Sequence, residues 1–137
     1  MSRVLQKILF VCVGNACRSQ MAEAFARTYG GDVLEASSAG LAPAAMIPFT
    51  TLEVMEEKNI RLDGQFPKGL DTVEPESFSL IVNISGHDLP SQLSPPVRKW
   101  KVGDPMGQKK EYHRQVRDQL EMKVMGLILE LRKRASQ

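Results

Sequence analysis

The stretch ILFVCVGNACRSQMAEAF, from Ile8 to Phe25, constrains the fold of this chain more than any other part of it. It starts as an apolar run of strand length and ends with Met21, Ala22, Phe25 and Ala26 at helical spacing. The residues between, Cys12 to Arg18, suit neither element. A strand that passes through a short loop straight into a helix opens a βαβ unit, so the stretch predicts a parallel sheet with this loop just beyond a strand's C-terminal end. That edge is where ligands bind in open α/β sheets.

The rest of the chain continues the alternation. Strand candidates are Val4 to Val13, Val33 to Ser38, Ser79 to Ile84 and a short one near Val97 to Val102. Helical spacing covers Ser19 to Tyr29, closed by Gly30 and Gly31, and a segment opened by Pro48 with Leu52, Met55 and Ile60 on one face. It returns from Lys110 to Arg134, where Tyr112, Val116, Leu120, Val124, Leu127 and Leu131 form a stripe that reads as core packing. The basic end at Arg132, Lys133 and Arg134 suits the negative pole of a helix dipole. The Pro-rich pieces Ala42 to Pro48 and Leu89 to Pro96 are too short for linkers and are expected as surface loops. The expected fold class is α/β, one domain over residues 1–137, with helices on both faces of a parallel sheet. A chain of this length buries about two-thirds of its unfolded surface in a single core.

A formal net charge of +2 is too small to call for a nucleic-acid or membrane partner. The start, MSRVLQKILFVCVG, places basic residues before an apolar run, but the run is too short for a membrane span and lacks a small-residue cleavage pattern, so a cytoplasmic protein is expected. Two cysteines, Cys12 and Cys17, are too few for a disulfide scaffold, and with only His87 and His113 beside them they make a poor metal set. Neither metal nor cofactor is expected; a reactive thiol in a reducing compartment is.

The loop itself explains why a thiol would be there. If Val13, Gly14, Asn15, Ala16 and Cys17 curl into a tight turn, successive backbone N–H groups converge at a helix N-terminus and form an anion site. The same positive field favours a thiolate over a thiol at Cys12. Gly14 and Asn15 tolerate positive φ or close backbone approach, Arg18 can grip two oxygens at once, and Ser19 can donate its hydroxyl to the sulfur. Nucleophile, amide cradle and clamp thus converge on one phosphate-sized oxyanion such as phosphate, sulfate or arsenate. The pattern is not a Walker loop, which needs Gly-x4-Gly-Lys-Ser/Thr. Cys17 reads equally as a packing residue or as the partner of Cys12 in a reversible disulfide.

VCVGNACRS resembles the phosphate-binding loop of the low-molecular-weight protein tyrosine phosphatases and of the thioredoxin-coupled arsenate reductases built on the same fold. SSAGLAP, Ser37 to Pro43, resembles the family's Ser-Ala-Gly segment, and WKVGDP, Trp100 to Pro105, its late Asp-Pro loop. The resemblance implies a four-stranded parallel sheet, Cys12 as nucleophile, Arg18 as oxyanion clamp and Asp104 as general acid. Chemistry asks for such an acid, because a leaving oxide needs a proton and the following hydrolysis needs a base; Asp88 is another acid of the right type.

Set against the family, Met106 and Gly107 follow Pro105 where phosphotyrosine-directed members have tyrosines, and Leu41 to Ile47 holds no aromatic residue. Where the arsenate reductase branch has two further cysteines, Ser85 and Ser91 or Gln92 stand here. The leading expectation is a cysteine-dependent phosphatase acting on a phosphorylated protein or small phosphomonoester through a phosphocysteine. The alternatives are an arsenate reductase using an external thiol or glutaredoxin, and a non-catalytic oxyanion-binding module.

Overall fold

The computed structural model describes residues 4–137. The basic start at Arg3 and the first three residues of the expected domain lie outside the described residues. Four strands, β1 Gln6–Cys12, β2 Leu34–Gly40, β3 Leu80–Asn83 and β4 Val97–Lys99, form one sheet in the order β2-β1-β3-β4. Every pairing is parallel. β1 therefore has β2 on one side and β3 on the other, so the strand order reverses at β1. Open α/β sheets place ligands at such a reversal of strand order.

Three α-helices follow the strands: α1 Arg18–Tyr29, α2 Phe49–Glu56 and α3 Lys110–Ala135. They share one core with Ile8, Phe10, Leu34 and Val82 of the sheet, into which Met21, Phe25, Met55, Leu120 and Ile128 project. Leu9, Val11, Ala39 and Ile81 face the other way and pack under Phe78, Leu70, Leu89 and Leu93. There the cover is two short 3₁₀ turns, Leu70–Val73 and Pro75–Ser77, and the 89–93 loop. Both faces of β1 are buried, which is why its sequence is a continuous apolar run rather than an alternating one. No helix among the described residues is long and apolar enough to cross a membrane.

Three local expectations change. Pro48 does open α2, but the buried residues of that helix are Thr51, Val54 and Met55, whereas Leu52 is 37% exposed. α2 ends at Glu56, and Ile60 is buried only after a turn through Asn59, whose φ is 60°. Gly30 caps α1 with φ of −122°, so handedness does not require a glycine there. A β-carbon at that position would stand 2.8 Å from the Ile128 side chain, so the close approach of α3 does. The fourth strand stops at Lys99, three residues short of the expected Val102.

Candidate active site

The first link is the backbone of the loop between β1 and α1. The carbonyl oxygens of Cys12, Val13 and Gly14 accept from the amides of Leu41 (3.1 Å), Ala42 (2.8 Å) and Ala44 (2.9 Å), and that of Asn15 accepts from Gln20 Nε2 at 2.9 Å. In a trans peptide the N–H points opposite to its carbonyl. The amides of Val13, Gly14, Asn15 and Ala16 therefore turn away from these partners, the disposition that an anion cradle would need. Of the two residues expected to tolerate special backbone geometry, Asn15 takes positive φ, at 50°. Gly14 does not, and a β-carbon there would meet only ordinary van der Waals contact with Ala44 at 3.6 Å.

Side chains then fix the surroundings of Cys12. Asn15 is fully buried; its Nδ2 donates to Ser19 Oγ at 2.7 Å and its Oδ1 accepts from the Lys68 amide at 3.0 Å. Ser19 Oγ lies 2.9 Å from Cys12 Sγ. Asn15 already donates to that oxygen, which leaves the Ser19 hydroxyl proton available to the sulfur. Cys12 itself is 2% exposed, at the end of β1.

Arg18, 5% exposed, is the first residue of α1. Its Nη1 donates to the carbonyls of Ile84 (2.7 Å) and Val102 (3.1 Å), which lie beyond the ends of β3 and β4. Two carbonyls on one nitrogen lock the guanidinium plane. Nε is buried without a partner. An unpaired buried donor of a charged group is costly, and a bound oxyanion would remove that cost. Nη2 lies 3.6 Å from Asp104 Oδ2, and Asp104, half exposed, also accepts from the Met106 amide at 3.0 Å.

The structure thus brings Cys12, Arg18, Ser19 and Asp104 to one place. Asp88 is elsewhere: it is exposed and pairs with Lys99 at 3.3 Å. Cys17 is buried, accepts from Thr51 Oγ1 at 3.3 Å, and has its thiol pushed up to about 11 by burial, with the nearby Asp104 and Cys12 adding to the rise. Ser85 is buried and tied into its own turn, donating to Asn83 Oδ1 at 2.6 Å and accepting from the His87 amide at 3.0 Å.

Sequence reasoning missed the supports of this site. Gln20 Nε2 reaches Phe66 O at 3.0 Å as well as Asn15 O, and so ties the loop to a distant segment. Glu23 is buried beside Ser38, whose hydroxyl donates to it at 2.5 Å, and pairs with Arg27. His113 is buried on α3, and its spacing to Val116 and Leu120 would have placed it on the inner face.

The family described as low molecular weight phosphotyrosine protein phosphatase matches residues 7–137. A glutaredoxin arsenate reductase of Synechocystis sp. is 32% identical over 131 residues, 93% of this chain and 99% of that protein. A solved structure described as an arsenate reductase in the phosphate binding state superposes with a TM-score of 0.86 at 32% identity, covering 93% of this chain and 99% of the other. An arginine phosphatase from Geobacillus stearothermophilus superposes with a TM-score of 0.83 at 26% identity, covering 94% of both chains. The curated relatives of comparable identity carry the name arsenate reductase, which reverses the order of the two enzymatic readings made from sequence. The chain belongs to the low molecular weight phosphotyrosine protein phosphatase family.

Proposed function

We propose that this chain is an arsenate reductase whose reducing thiol comes from outside the chain, with Cys12 as nucleophile, Arg18 as clamp and Asp104 as proton donor. The observation that carries the reading is the lack of a readily ionised partner thiol beside Cys12. Its one fellow cysteine is buried with its thiol pushed up to about 11, and the full sequence has no third. The names of the relatives supply the arsenate half of the reading.

The chemistry balances as follows. The Cys12 thiolate attacks arsenic, and one arsenate oxygen leaves as water, taking a proton from Asp104. An external thiolate then attacks Cys12 Sγ. The sulfur–arsenic bond breaks with its electron pair going to arsenic, arsenite departs, and a mixed disulfide remains on Cys12. A second thiol, that of a small thiol or a glutaredoxin, reduces it. In sum two thiols become one disulfide while arsenate becomes arsenite and water. A cytoplasmic location belongs to the same reading, because the thiols must stay reduced.

Phosphomonoester hydrolysis is the second reading, favoured by the phosphatase family whose model matches residues 7–137, and it needs an acid and water but no electrons. One preparation assayed both ways separates them. With glutathione, glutaredoxin and glutathione reductase, arsenate should drive NADPH consumption, whereas thioredoxin and its reductase alone should not. Aryl phosphate turnover without thiol, and no arsenate-dependent NADPH use, would replace the first reading by the second.

A further inference from the structure

The loop that carries Asp104 is touched from both sides of that residue by the first turn of α3. Tyr112 comes so close on one side that a β-carbon on Gly103 would stand 1.9 Å from its hydroxyl. On the other side His113, buried at 2% exposure, faces the backbone carbonyls of Gln108 and Pro105 and the charge of Asp104. Burial pushes its pKa down, and the two carbonyls and Asp104 act against that shift. Its Nδ1 is buried without a hydrogen-bond partner. A buried imidazole nitrogen left unpaired beneath a loop is costly, and it gains a partner if the loop moves onto it. No part of the chemistry above uses this residue.

We propose that His113 is a positioning residue for Asp104, acting with Tyr112 as a clamp on residues 103–108. Tyr112 bears on Gly103, and the His113 ring, its Nδ1 unpaired, lies by the backbone of Pro105 and Gln108, so the pair bracket Asp104. Together with the bond from Arg18 Nη1 to Val102 O at 3.1 Å, they set how far the carboxyl stands from the anion site. The inference rests on the reading of Asp104 as proton donor. Misplacing a reacting group by about 1 Å costs about 100-fold, so a loosened loop should cost about 10- to 100-fold wherever the proton is needed and little where it is not.

The test compares wild type, His113→Phe, His113→Gln, Asp104→Asn and the double variant His113→Phe/Asp104→Asn on phenyl phosphate and p-nitrophenyl phosphate. Hydrogen exchange at the amides of residues 103–108 is followed in parallel. His113→Phe keeps an aromatic ring, slightly larger, but removes the nitrogens. It should lower kcat about 10- to 100-fold on phenyl phosphate, change the nitrophenyl reaction little, leave KM alone and speed exchange in the loop but not along α3. His113→Gln, which retains an N–H donor, should recover most of the loss, and the double variant should be no slower than Asp104→Asn. Gly103→Ala, which drives a methyl onto the Tyr112 hydroxyl, should give the same pattern from the other side if His113→Phe folds poorly. Equal losses on both substrates, additive losses in the double variant, or unchanged loop exchange would overturn the clamp. A wild-type protein inert on both substrates would exclude the phosphatase reading without touching the role of Asp104 in arsenate reduction, and loop exchange alone would then decide: faster in His113→Phe upholds the clamp, unchanged rejects it.

Discussion

Gly40 and Val13 are packed so closely that a β-carbon on Gly40 would stand 2.7 Å from the Val13 carbonyl oxygen and 2.8 Å from the Asn15 amide nitrogen. Gly40 pairs with Cys12 in the β1–β2 ladder, so the last residue of β2 shapes the loop that follows β1. Gly40→Ala should destabilise the fold by about 1–3 kcal/mol, the usual cost of overpacking. Because the displaced atoms belong to the anion loop, it should also weaken inorganic phosphate binding by more than about tenfold. Calorimetric titration checks this, and a variant with wild-type affinity would show that the loop does not depend on Gly40.

Ser19→Ala removes the hydroxyl that Cys12 Sγ and Asn15 Nδ2 share. A hydrogen bond to a charged partner is worth about 1.5–3 kcal/mol, so kcat should fall about 10- to 100-fold with a much smaller effect on KM. Steady-state kinetics on the substrate that wild type turns over is the measurement. An unchanged kcat would mean that the sulfur draws its support from the amides alone.

How much of this was legible in the sequence depends on how far apart the partners lie. Cys12, Asn15, Arg18 and Ser19 are neighbours in the chain, so the left-handed turn at Asn15 and the hydroxyl beside the sulfur could be read from residue types alone. Asp104 was legible only through family resemblance, because its approach to Arg18 requires the ends of β1, β3 and β4 to be brought side by side. Gln20 and Lys68 support the site across even less visible distances: nothing near Lys68 in sequence shows that its amide will meet Asn15 Oδ1. Gly30 was found for the wrong reason, since helix capping is local and contact with Ile128 is not. The turn after α2 likewise depends on Asn59 entering the left-handed region, which periodicity does not register.

Cys17 gives a prediction in pH. Burial raises its thiol from 9.0 to about 11, so the native chain keeps a proton that the unfolded chain releases in that window. Stability from this group is complete below pH about 9 and falls as pH rises toward about 11, by about 2–3 kcal/mol at about 1.36 kcal/mol per unit. Urea midpoints near about pH 8 and about pH 10.5 should therefore drop more in wild type than in Cys17→Ser, which keeps an acceptor for Thr51 but has nothing to ionise there. Equal drops in the two proteins would contradict the raised thiol.

Arg18→Lys keeps the charge and loses the fork. Its Nη1 bonds to Ile84 and Val102 and its free Nε have no counterpart on a single ammonium group. Activity should fall by about a hundredfold or more, the size of effect seen when one preorganised oxyanion donor is lost. A mild effect would place the clamp elsewhere.

The most direct test of an outside reductant acting on Cys12 is a single turnover followed by intact-protein mass spectrometry. Cys12 and Cys17 fall on one short peptide, so Cys17→Ser is run beside wild type. After arsenate and glutathione are mixed with enzyme and quenched by acid, both proteins should carry one glutathione disulfide. Cys12→Ser should carry none, and no adduct should form when arsenate is left out. An internal disulfide in wild type with no adduct, together with an unreacted Cys17→Ser protein, would contradict the account and make Cys17 the resolving thiol.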